Sequence, residues 1–382
     1  MIVAIQTMQP LSPAVIHHGS AGLFLAALAA AFLRLPATEA PAFVPPPVVA
    51  SPLPADMTRS NLPSAGATAG PASLTLLADG KVAAAWLAGP GNDNSAATIW
   101  LSILGRSGWS QPLPAATRES TAAGTFAHMS SLGRPLLLAE GSWLHLWYES
   151  LPLGSGAGAA IVHSLSTDGG KTWSKAERLQ TSPLGTLGNG LGGPPLMLAD
   201  GGLGLPLDQR FPKQGSEWLR LSATGRIVDK RRLAHAAPTL QPAVVALDDH
   251  RGLAVLRDNR AGTSRATLST TNGGQTWETA SELALPAPDA PVALLRLASG
   301  RLLLAGNPQQ GKEALQLWLS ADDGQTWAMK RIVEAASDGG AEFADPALLQ
   351  GRDGRIHLTY TWRQQQIRYV AFTEAWLAGG AP

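Results

Sequence analysis

The sequence STDGGKTW at residues 166–173 recurs twice along the chain, as STTNGGQTW at residues 269–277 and as SADDGQTW at residues 320–327. The shared pattern is S-x-D-x-G-x-T-W, and the middle copy carries one additional residue. A phrase that returns at intervals of about fifty residues indicates one supersecondary unit used several times. The Asp-Gly or Asn-Gly pair is typical of a tight turn between antiparallel strands, and the Trp adds a large apolar surface. The repeat therefore predicts a fold built from several similar β-units.

The sequence around these copies extends the same organisation. From about residue 68 onward, short apolar runs alternate with turns that contain Asp-Gly, Gly-Gly or Pro, and no stretch has a convincing helical period. Residues 342–372 form a last unit, and five earlier units have a serine at the same place, namely Ser102, Ser166, Ser222, Ser269 and Ser320. Six four-stranded units predict an all-β, six-bladed β-propeller. A parallel β-helix is the alternative, although its repeats are much shorter.

A ring of blades has to close on itself. We expect residues near 57–64 to supply the outer strand of the last blade, so that the two ends of the ring are joined by hydrogen bonds.

Composition limits the classes of function. The 382 residues carry a net charge of +1, which does not favour nucleic acid or an anionic membrane surface as a partner. The absence of cysteine excludes disulfides, thiol catalysis and Cys-ligated metal. The histidines form no His-x-His or His-Glu-x-x-His pattern, and no glycine-rich phosphate loop precedes a helix. We therefore expect no metal and no cofactor.

The first part of the chain differs from the rest. Residues 20–33 (SAGLFLAALAAAFL) are an apolar run with the length of a signal-peptide core, although only histidines precede it. Export is expected, with a retained membrane anchor or a mis-assigned start codon as alternatives. Residues 36–54 are rich in Pro and Ala and predict an extended stalk that holds the folded domain away from its attachment. The predicted organisation is a signal peptide or anchor at 1–35, a linker at 36–56 and a propeller at 57–376.

The repeat and several further stretches carry a resemblance to a known family. The stretches are LADGKVAAAWLAG at 77–89, EFADPALLQ at 342–350 and DGRIHLTYTWRQQQIRYV at 353–370. Together with the repeat they resemble the Asp-box, or BNR, repeat proteins of the sialidase (neuraminidase) superfamily, from about residue 69 to residue 372. The resemblance implies a six-bladed propeller and a glycoside hydrolase that acts on terminal sugars of glycans.

The resemblance also implies particular site residues. Sialidases hold the substrate carboxylate with three arginines, and they use a Tyr nucleophile with a helper Glu and an Asp on a loop as acid and base. In this chain Asp345 stands where the Tyr is expected, and Gly70 and Lys312 stand where the first and third arginines are expected. Asp208 and Arg210 fall in the region of the helper Glu.

Two sets of candidates follow. The catalytic candidates are Asp345, Asp93, Glu342 and Tyr360. The substrate-binding candidates are Arg257, Arg260, Arg265, Arg363 and Arg210. Five of them have a structural alternative: the arginines before the middle repeat (Arg257, Arg260 and Arg265) could pair with nearby aspartates, Asp345 could cap a turn, and Arg363 could begin a hairpin.

Two functional hypotheses remain open. In the first, the protein is an exo-sialidase or a related glycosidase that acts on exposed terminal sugars of glycans. Asp345 could act as a carboxylate nucleophile if the sugar has no carboxylate at the reacting carbon. In the second, it is a carbohydrate-binding or envelope glycan assembly propeller that has lost the arginine triad and the tyrosine nucleophile. Both predict a glycan partner, a monomer, and a periplasmic, membrane-anchored or secreted location.

Overall fold

The computed structural model describes residues 18, 22, 24–26, 40–48, 53–91, 96–152, 156–181, 188–211, 213–233, 238–258, 265–283, 289–308, 311–336 and 342–379. The chain divides into two units, Met1–Ala40 and Pro41–Pro382. The predicted signal segment lies almost entirely outside the described residues. None of the helices in the described part of the chain has the length and apolar character needed to cross a bilayer.

The second unit is a six-bladed β-propeller, as predicted. Blade 1 contains β2 (Thr68–Leu76), β3 (Val82–Gly89), β4 (Thr98–Gly105), β5 (Gly108–Trp109) and β6 (Leu113–Ala116). Blade 2 contains β7 (Ser131–Glu140), β8 (Trp143–Leu151), β9 (Ala160–Ser166) and β10 (Glu177–Arg178). Blade 3 contains β11 (Asn189–Leu191), β12 (Leu196–Met197), β13 (Leu203–Gln209), β14 (Gly215–Leu221) and β15 (Ile227–Leu233).

The second half of the ring repeats this antiparallel arrangement. Blade 4 contains β16 (Thr239–Ala246), β17 (Gly252–Asp258), β18 (Arg265–Thr270) and β19 (Glu278–Leu283). Blade 5 contains β20 (Ala293–Arg296), β21 (Leu302–Gly306), β22 (Ala314–Ser320) and β23 (Ala328–Ala335). Blade 6 contains β24 (Phe343–Gln350), β25 (Ile356–Trp362), β26 (Gln366–Phe372) and, from the start of the ring, β1 (Met57–Asn61).

Strand β1 closes the ring. It pairs with β26 in antiparallel register from Met57 opposite Phe372 to Asn61 opposite Arg368. The next residue, Leu62, is buried and donates its backbone N–H to the Ile367 carbonyl at 2.9 Å. The predicted closure is therefore confirmed.

The core lies between neighbouring blades because each strand presents alternate side chains to its two sides. On β8, Leu146 and Tyr148 pack in the cluster shared with blade 1, whereas Trp147 packs in the cluster shared with blade 3. Each blade is thus apolar on both faces, which explains the near-continuous apolar runs in the sequence.

The repeated phrases form hydrogen-bonded turns between the third and fourth strands of blades 2, 4 and 5. In the first, the Asp168 carboxylate accepts from the Thr172 backbone N–H at 2.9 Å and from the Ser166 hydroxyl at 2.9 Å. The Ser166 hydroxyl in turn accepts from the Gly170 N–H at 2.9 Å. These bonds, led by those from Thr172, lower the pKa of Asp168. The Asp therefore shapes the turn.

The middle copy is aligned differently from the prediction. Thr270, and not Ser269, donates to the Asn272 side chain at 2.9 Å and accepts from the Gly274 N–H at 3.1 Å. The motif is therefore T-x-N-x-G-x-T-W over residues 270–277, with no inserted residue. The Thr270 hydroxyl makes the hydrogen bonds that the Ser166 hydroxyl makes in the first copy. Comparing residue letters alone does not show this equivalence.

A second repeat lies on the innermost strands, where residue-Pro pairs interrupt the hydrogen-bond ladder. Strands β2, β7, β16 and β24 each have a register shift at such a pair, formed by Gly70, Arg134, Gln241 and Asp345 with the prolines that follow them. Proline has no N–H for the ladder, and a bulge redirects the side chain beside it. These four residues lie at the end of the propeller where the inner strands begin, which we call the site end.

Part of the predicted stalk lies against the propeller. Phe43 is 2% exposed and packs edge-on against Trp218, with ring centroids 6.1 Å apart. Its N–H donates to the Asp249 carbonyl at 2.7 Å, and the Val44 N–H donates to the Met197 carbonyl at 3.0 Å. Residues 41–48 therefore form a strap over blades 3, 4 and 5, because one buried aromatic anchors an otherwise Pro-rich segment.

Two short helices, α1 (Arg118–Thr125) and α2 (Glu374–Ala378), were not predicted. Helix α1 begins with a capping box, in which the Ser120 N–H donates to the Thr117 hydroxyl at 3.1 Å and the Thr117 N–H donates to the Ser120 hydroxyl at 3.0 Å. Thr121 is the only residue of α1 classed as buried, so the helix has no apolar period that a sequence pattern would reveal.

Acid should weaken the fold through His357. This side chain is buried and shares a hydrogen bond of 2.6 Å with the Tyr369 hydroxyl, and burial lowers its pKa to about 4. The unfolded chain takes up this proton from about pH 6.5 downward whereas the folded chain does not, so stability falls by roughly 1.4 kcal/mol per pH unit until about pH 4. The free energy of unfolding, measured with urea near pH 7 and near pH 4.5, should differ less between the two pH values for His357→Gln than for the wild type. Equal differences would contradict the assignment.

Candidate functional site

A cavity opens at the site end between the inner strands of blades 6 and 1. We call it the rim cavity; its volume is ≈ 350 Å³, and it is lined by residues 68–71, 87–89, 97, 312, 342, 344–345, 361 and 364. A volume of this size accommodates a small ligand such as one sugar ring. The adjoining cavity on the propeller axis is only ≈ 50 Å³ and is lined by residues of all six blades. The axis is therefore nearly filled, and the rim cavity is the larger space beside it.

Asp345 occupies an unfavourable backbone conformation at the edge of the rim cavity. Its φ is 49°, in the left-handed region, and Pro346 follows it. A residue with a Cβ rarely adopts this region, and a following proline favours extended backbone instead. Gln241 has the same combination on blade 4, with φ 46°. Strain of this kind is retained where the surrounding structure demands it, and it concentrates at functional sites.

Arg134 holds the Asp345 carboxylate. Its guanidinium donates to Asp345 Oδ1, forming a short ion pair from blade 2 to blade 6 past the inner strand of blade 1. Both side chains are mostly buried, with 15% and 23% of their surfaces exposed. Because the two charges compensate each other, an external carboxylate at Arg134 would have to compete with Asp345.

Glu342 and Lys312 bring a second pair of opposite charges to the same cavity. Lys312 Nζ lies 3.9 Å from Glu342 Oε1, and the Gln364 side-chain amide donates to Glu342 Oε2 at 3.3 Å. Both charged side chains are nearly half exposed. The rim cavity therefore presents two carboxylates, each with a cation beside it, and its charge is balanced.

A buried charge cluster lies next to this region, between blades 2 and 3. Arg210 donates to both oxygens of Glu149, at 2.9 and 2.7 Å, and its Nε lies 3.0 Å from Asp208 Oδ1. Glu149 also accepts from the Leu191 N–H at 2.9 Å. Burial raises the pKa of Asp208 to about 6, and Glu149 adds to this effect while Arg210 opposes it. The Arg210 guanidinium is thus paired with two carboxylates of the protein itself.

Removing that charge should be costly. In Arg210→Met, Glu149 and Asp208 would remain buried without their cation, and breaking such a pair typically costs about 3–5 kcal/mol of unfolding free energy. Urea unfolding near pH 7 measures the loss. Arg106→Met, at an exposed turn position, is the matched control and should change stability by less than about 0.5 kcal/mol. A loss below about 1 kcal/mol in Arg210→Met would show that the cluster is not structural.

The remaining arginine candidates among the described residues each make different contacts. Arg257 donates to the Gln241 side chain at 2.8 Å. Arg265 is fully buried, donates to the Ala290 carbonyl at 2.9 Å, and has its pKa lowered to about 10 by burial. Arg363 lies in the turn between β25 and β26, with its guanidinium 5.0 Å from the centre of the Trp362 ring. Among the described arginine candidates, none lines the rim cavity with Asp345.

Tyr360 is likewise separate from the rim cavity. It is buried, and its hydroxyl donates to Glu334 on blade 5. Trp362 donates to the same carboxylate at 3.0 Å, so Tyr360 and Trp362 share one face of β25 as alternation predicts. Burial and the Glu334 carboxylate raise the pKa of Tyr360. The structure therefore brings together Asp345 and Glu342 but not Tyr360. Asp93 and Arg260 lie outside the described residues.

Arg134 is the site residue that sequence reasoning missed. The signal in the sequence was the Arg134-Pro135 pair, because the first arginine of the sialidase superfamily also precedes a proline. Arg134 precedes Pro135 on the inner strand of blade 2, one blade later than the expected position at Gly70.

Comparison with known proteins agrees with the propeller fold. The family model of the BNR repeat-like domain matches residues 80–358, which is most of the chain. The chain belongs to the BNR repeat-like domain family. A search of curated proteins finds no significant match.

Sialidases are prominent among similar solved structures. An intramolecular trans-sialidase from Ruminococcus gnavus, in complex with oseltamivir carboxylate, has a TM-score of 0.65 at 15% identity, over 84% of this chain and 98% of that one. Trypanosoma rangeli sialidase, bound to the inhibitor DANA, has a TM-score of 0.63 at 14% identity, over 84% of this chain and 60% of that one. A Dyadobacter fermentans protein of unknown function has a TM-score of 0.65 at 13% identity, over 83% and 99%. At these identities the similarity establishes the fold of this BNR-repeat protein, and its reaction has to be argued from its own residues.

Proposed function

We propose that this BNR-repeat protein is an exo-acting glycoside hydrolase that uses the sialidase fold on terminal sugars that carry no carboxylate. The supporting observation is the Arg134–Asp345 ion pair at the rim cavity. In a sialidase, guanidinium groups receive the carboxylate of the substrate. Here Arg134 is already paired with Asp345, and Arg210 with Glu149 and Asp208. A sugar without a carboxylate requires no displacement of these pairs.

The two carboxylates of the rim cavity suit the chemistry of a glycosidase. In the proposed reaction, an Asp345 oxygen attacks the anomeric carbon while the bond to the glycosidic oxygen breaks, and Glu342 gives its proton to that oxygen. Water then attacks the same carbon, its proton returns to Glu342, and the Asp345 carboxylate is released. A carboxylate nucleophile is acceptable only if the sugar has no carboxylate beside the reacting carbon, which is consistent with the loss of the family's tyrosine.

Arg134 would act as a positioning residue in this reaction. By holding Oδ1 of Asp345 it fixes the orientation of the carboxylate and leaves the second oxygen for attack. Pre-organisation of this kind can contribute much of an enzyme's rate enhancement.

Turnover of fluorogenic glycosides tests the proposal. Wild-type protein should cleave at least one member of a panel of methylumbelliferyl glucosides, galactosides, mannosides, fucosides and N-acetylhexosaminides, and it should not cleave the sialoside. Cleavage of the sialoside alone would contradict the proposal. Saturable binding of a neutral sugar without any turnover would instead support the carbohydrate-binding alternative.

A further inference from the structure

A second cavity, of ≈ 470 Å³, lies between blades 2 and 3 and is lined by an aromatic stripe. The stripe consists of Trp143, His145 and Trp147, which alternate along β8 and therefore face the same side. The stripe begins at the turn where β7 ends and β8 begins. This turn lies at the end of the propeller opposite the rim cavity. We call this space the stripe groove.

The aromatic rings of the groove differ in their exposure to solvent. The His145 and Trp147 rings are stacked, with centroids 5.4 Å apart and planes 11° apart, and His163 of β9 stacks on both. Trp147 is only 2% exposed and serves the packing between blades, whereas half of the Trp143 surface is exposed at the mouth. Blade packing explains the inner rings but not an exposed indole at the opening.

The polar groups of the groove are arranged for a ligand with hydroxyl groups. Glu177 lies directly across the strand pair from His163, and Glu140 directly across from Trp143, so both carboxylates border the aromatic surface. Arg178 lies across from Val162, on the face of β10 that packs toward blade 1. Two acceptors thus border an apolar platform.

The charge of the groove favours an uncharged ligand. Burial lowers the pKa of both histidines, that of His163 to about 4, so both rings are neutral near pH 7. The His145 Nδ1 and His163 Nε2 atoms lie 3.1 Å apart and share one hydrogen bond, and His145 Nε2 lies 3.5 Å from Glu140 Oε2. The two carboxylates then give the groove a negative charge, which does not attract an anion. An apolar peptide segment would bury the charged Glu140 and Glu177 carboxylates, which is unfavourable.

We propose that the stripe groove is a second glycan-binding site, which takes a neutral pyranose residue stacked on Trp143 with its hydroxyls on Glu140 and Glu177. A pyranose has an apolar C–H face and a polar edge of hydroxyls, and aromatic rings with flanking carboxylates are complementary to both. Because the groove and the rim cavity lie at opposite ends of the propeller, the groove would hold a glycan chain independently of catalysis.

Binding of neutral trisaccharides to the full chain tests this site. Isothermal titration calorimetry with cellotriose, maltotriose and chitotriose should detect at least one ligand with wild-type protein. Trp143→Ala should weaken that binding at least tenfold, while Trp143→Phe, which keeps an aromatic face, should stay within about threefold of the wild type. Phe126→Ala is the matched control, since Phe126 is an exposed aromatic outside the groove, and it should leave binding unchanged.

The same titrations in an Asp345→Asn background separate this site from the rim cavity. The tenfold loss on Trp143→Ala should persist there, because the groove does not depend on Asp345. Equal binding by wild type and Trp143→Ala for every trisaccharide would overturn the proposal. So would the absence of binding by the wild type up to about 20 mM ligand, or binding of the acidic trisaccharide trigalacturonate alone.

Discussion

Replacing Asp345 by Asn should lower kcat for a neutral aryl glycoside by about a thousandfold or more while leaving the fold intact. The amide removes the negative charge that attacks the anomeric carbon. It keeps the shape of the side chain and still accepts from Arg134. The backbone favours the change as well, since Asn tolerates the left-handed conformation at φ 49° better than most residues do.

The control for this experiment is Asp353→Asn. Asp353 is exposed in the turn between β24 and β25, at the end of blade 6 away from the rim cavity, where it accepts from the Arg355 N–H at 3.1 Å. Its variant should retain wild-type kcat and KM. Turnover by Asp345→Asn equal to that of Asp353→Asn would show that Asp345 is not the nucleophile.

Arg134 has a distinct kinetic signature. Arg134→Met should lower kcat more than it raises KM, because the arginine positions Asp345 without holding the sugar. Arg134→Lys should recover only part of the rate, since an ammonium cannot reproduce the planar geometry of the guanidinium. An effect confined to KM would instead place Arg134 in direct contact with substrate.

Deleting β1 should abolish cooperative folding of the propeller. A chain that begins at residue 65 lacks the five pairings between β1 and β26, and it also lacks the Arg59 bond to the Val333 carbonyl at 2.6 Å. Strand β26 would become an open edge with unpaired backbone groups. We expect the melting temperature to fall by more than about 10 °C, or no cooperative transition at all.

Two longer chains provide the controls. A chain that begins at residue 40 keeps both the strap and β1 and should melt like the full chain. A chain that begins at residue 53 keeps β1 but loses the strap with its buried Phe43, and it should lose about 3 kcal/mol of stability. A synthetic peptide of residues 53–64 should restore part of the melting temperature of the shortest chain. An unchanged melting temperature for that chain would contradict ring closure by β1.

The blades could be predicted from sequence because their information is local. An Asp-Gly pair followed by Thr-Trp specifies a turn through hydrogen bonds that span only five residues, as Asp168 and Thr172 demonstrate. Alternation of apolar residues on strands such as β8 then fixes which side chains face each neighbour. The closing strand could be predicted because a propeller ring closes when a strand from the start of the ring completes the last blade.

The candidate site could be predicted only in part because it depends on contacts between distant residues. Asp345 and Glu342 are three residues apart; the resemblance to the family identified Asp345, and residue type alone suggested Glu342. Arg134 lies 211 residues from Asp345, and only closure of the ring brings them together. The strap was interpreted as a free stalk because prolines dominate its composition, whereas the position of a single residue, Phe43, decides where it lies.

The central claim is that the arginines beside the rim cavity are committed to carboxylates of the protein itself. Calorimetric titration with oseltamivir carboxylate, the ligand in the Ruminococcus gnavus trans-sialidase structure, tests this most directly. We predict no saturable binding to wild-type protein up to about 1 mM. Stoichiometric binding with a micromolar Kd that is lost in Arg134→Met would contradict the account, because it would show that Arg134 releases Asp345 to receive an external carboxylate.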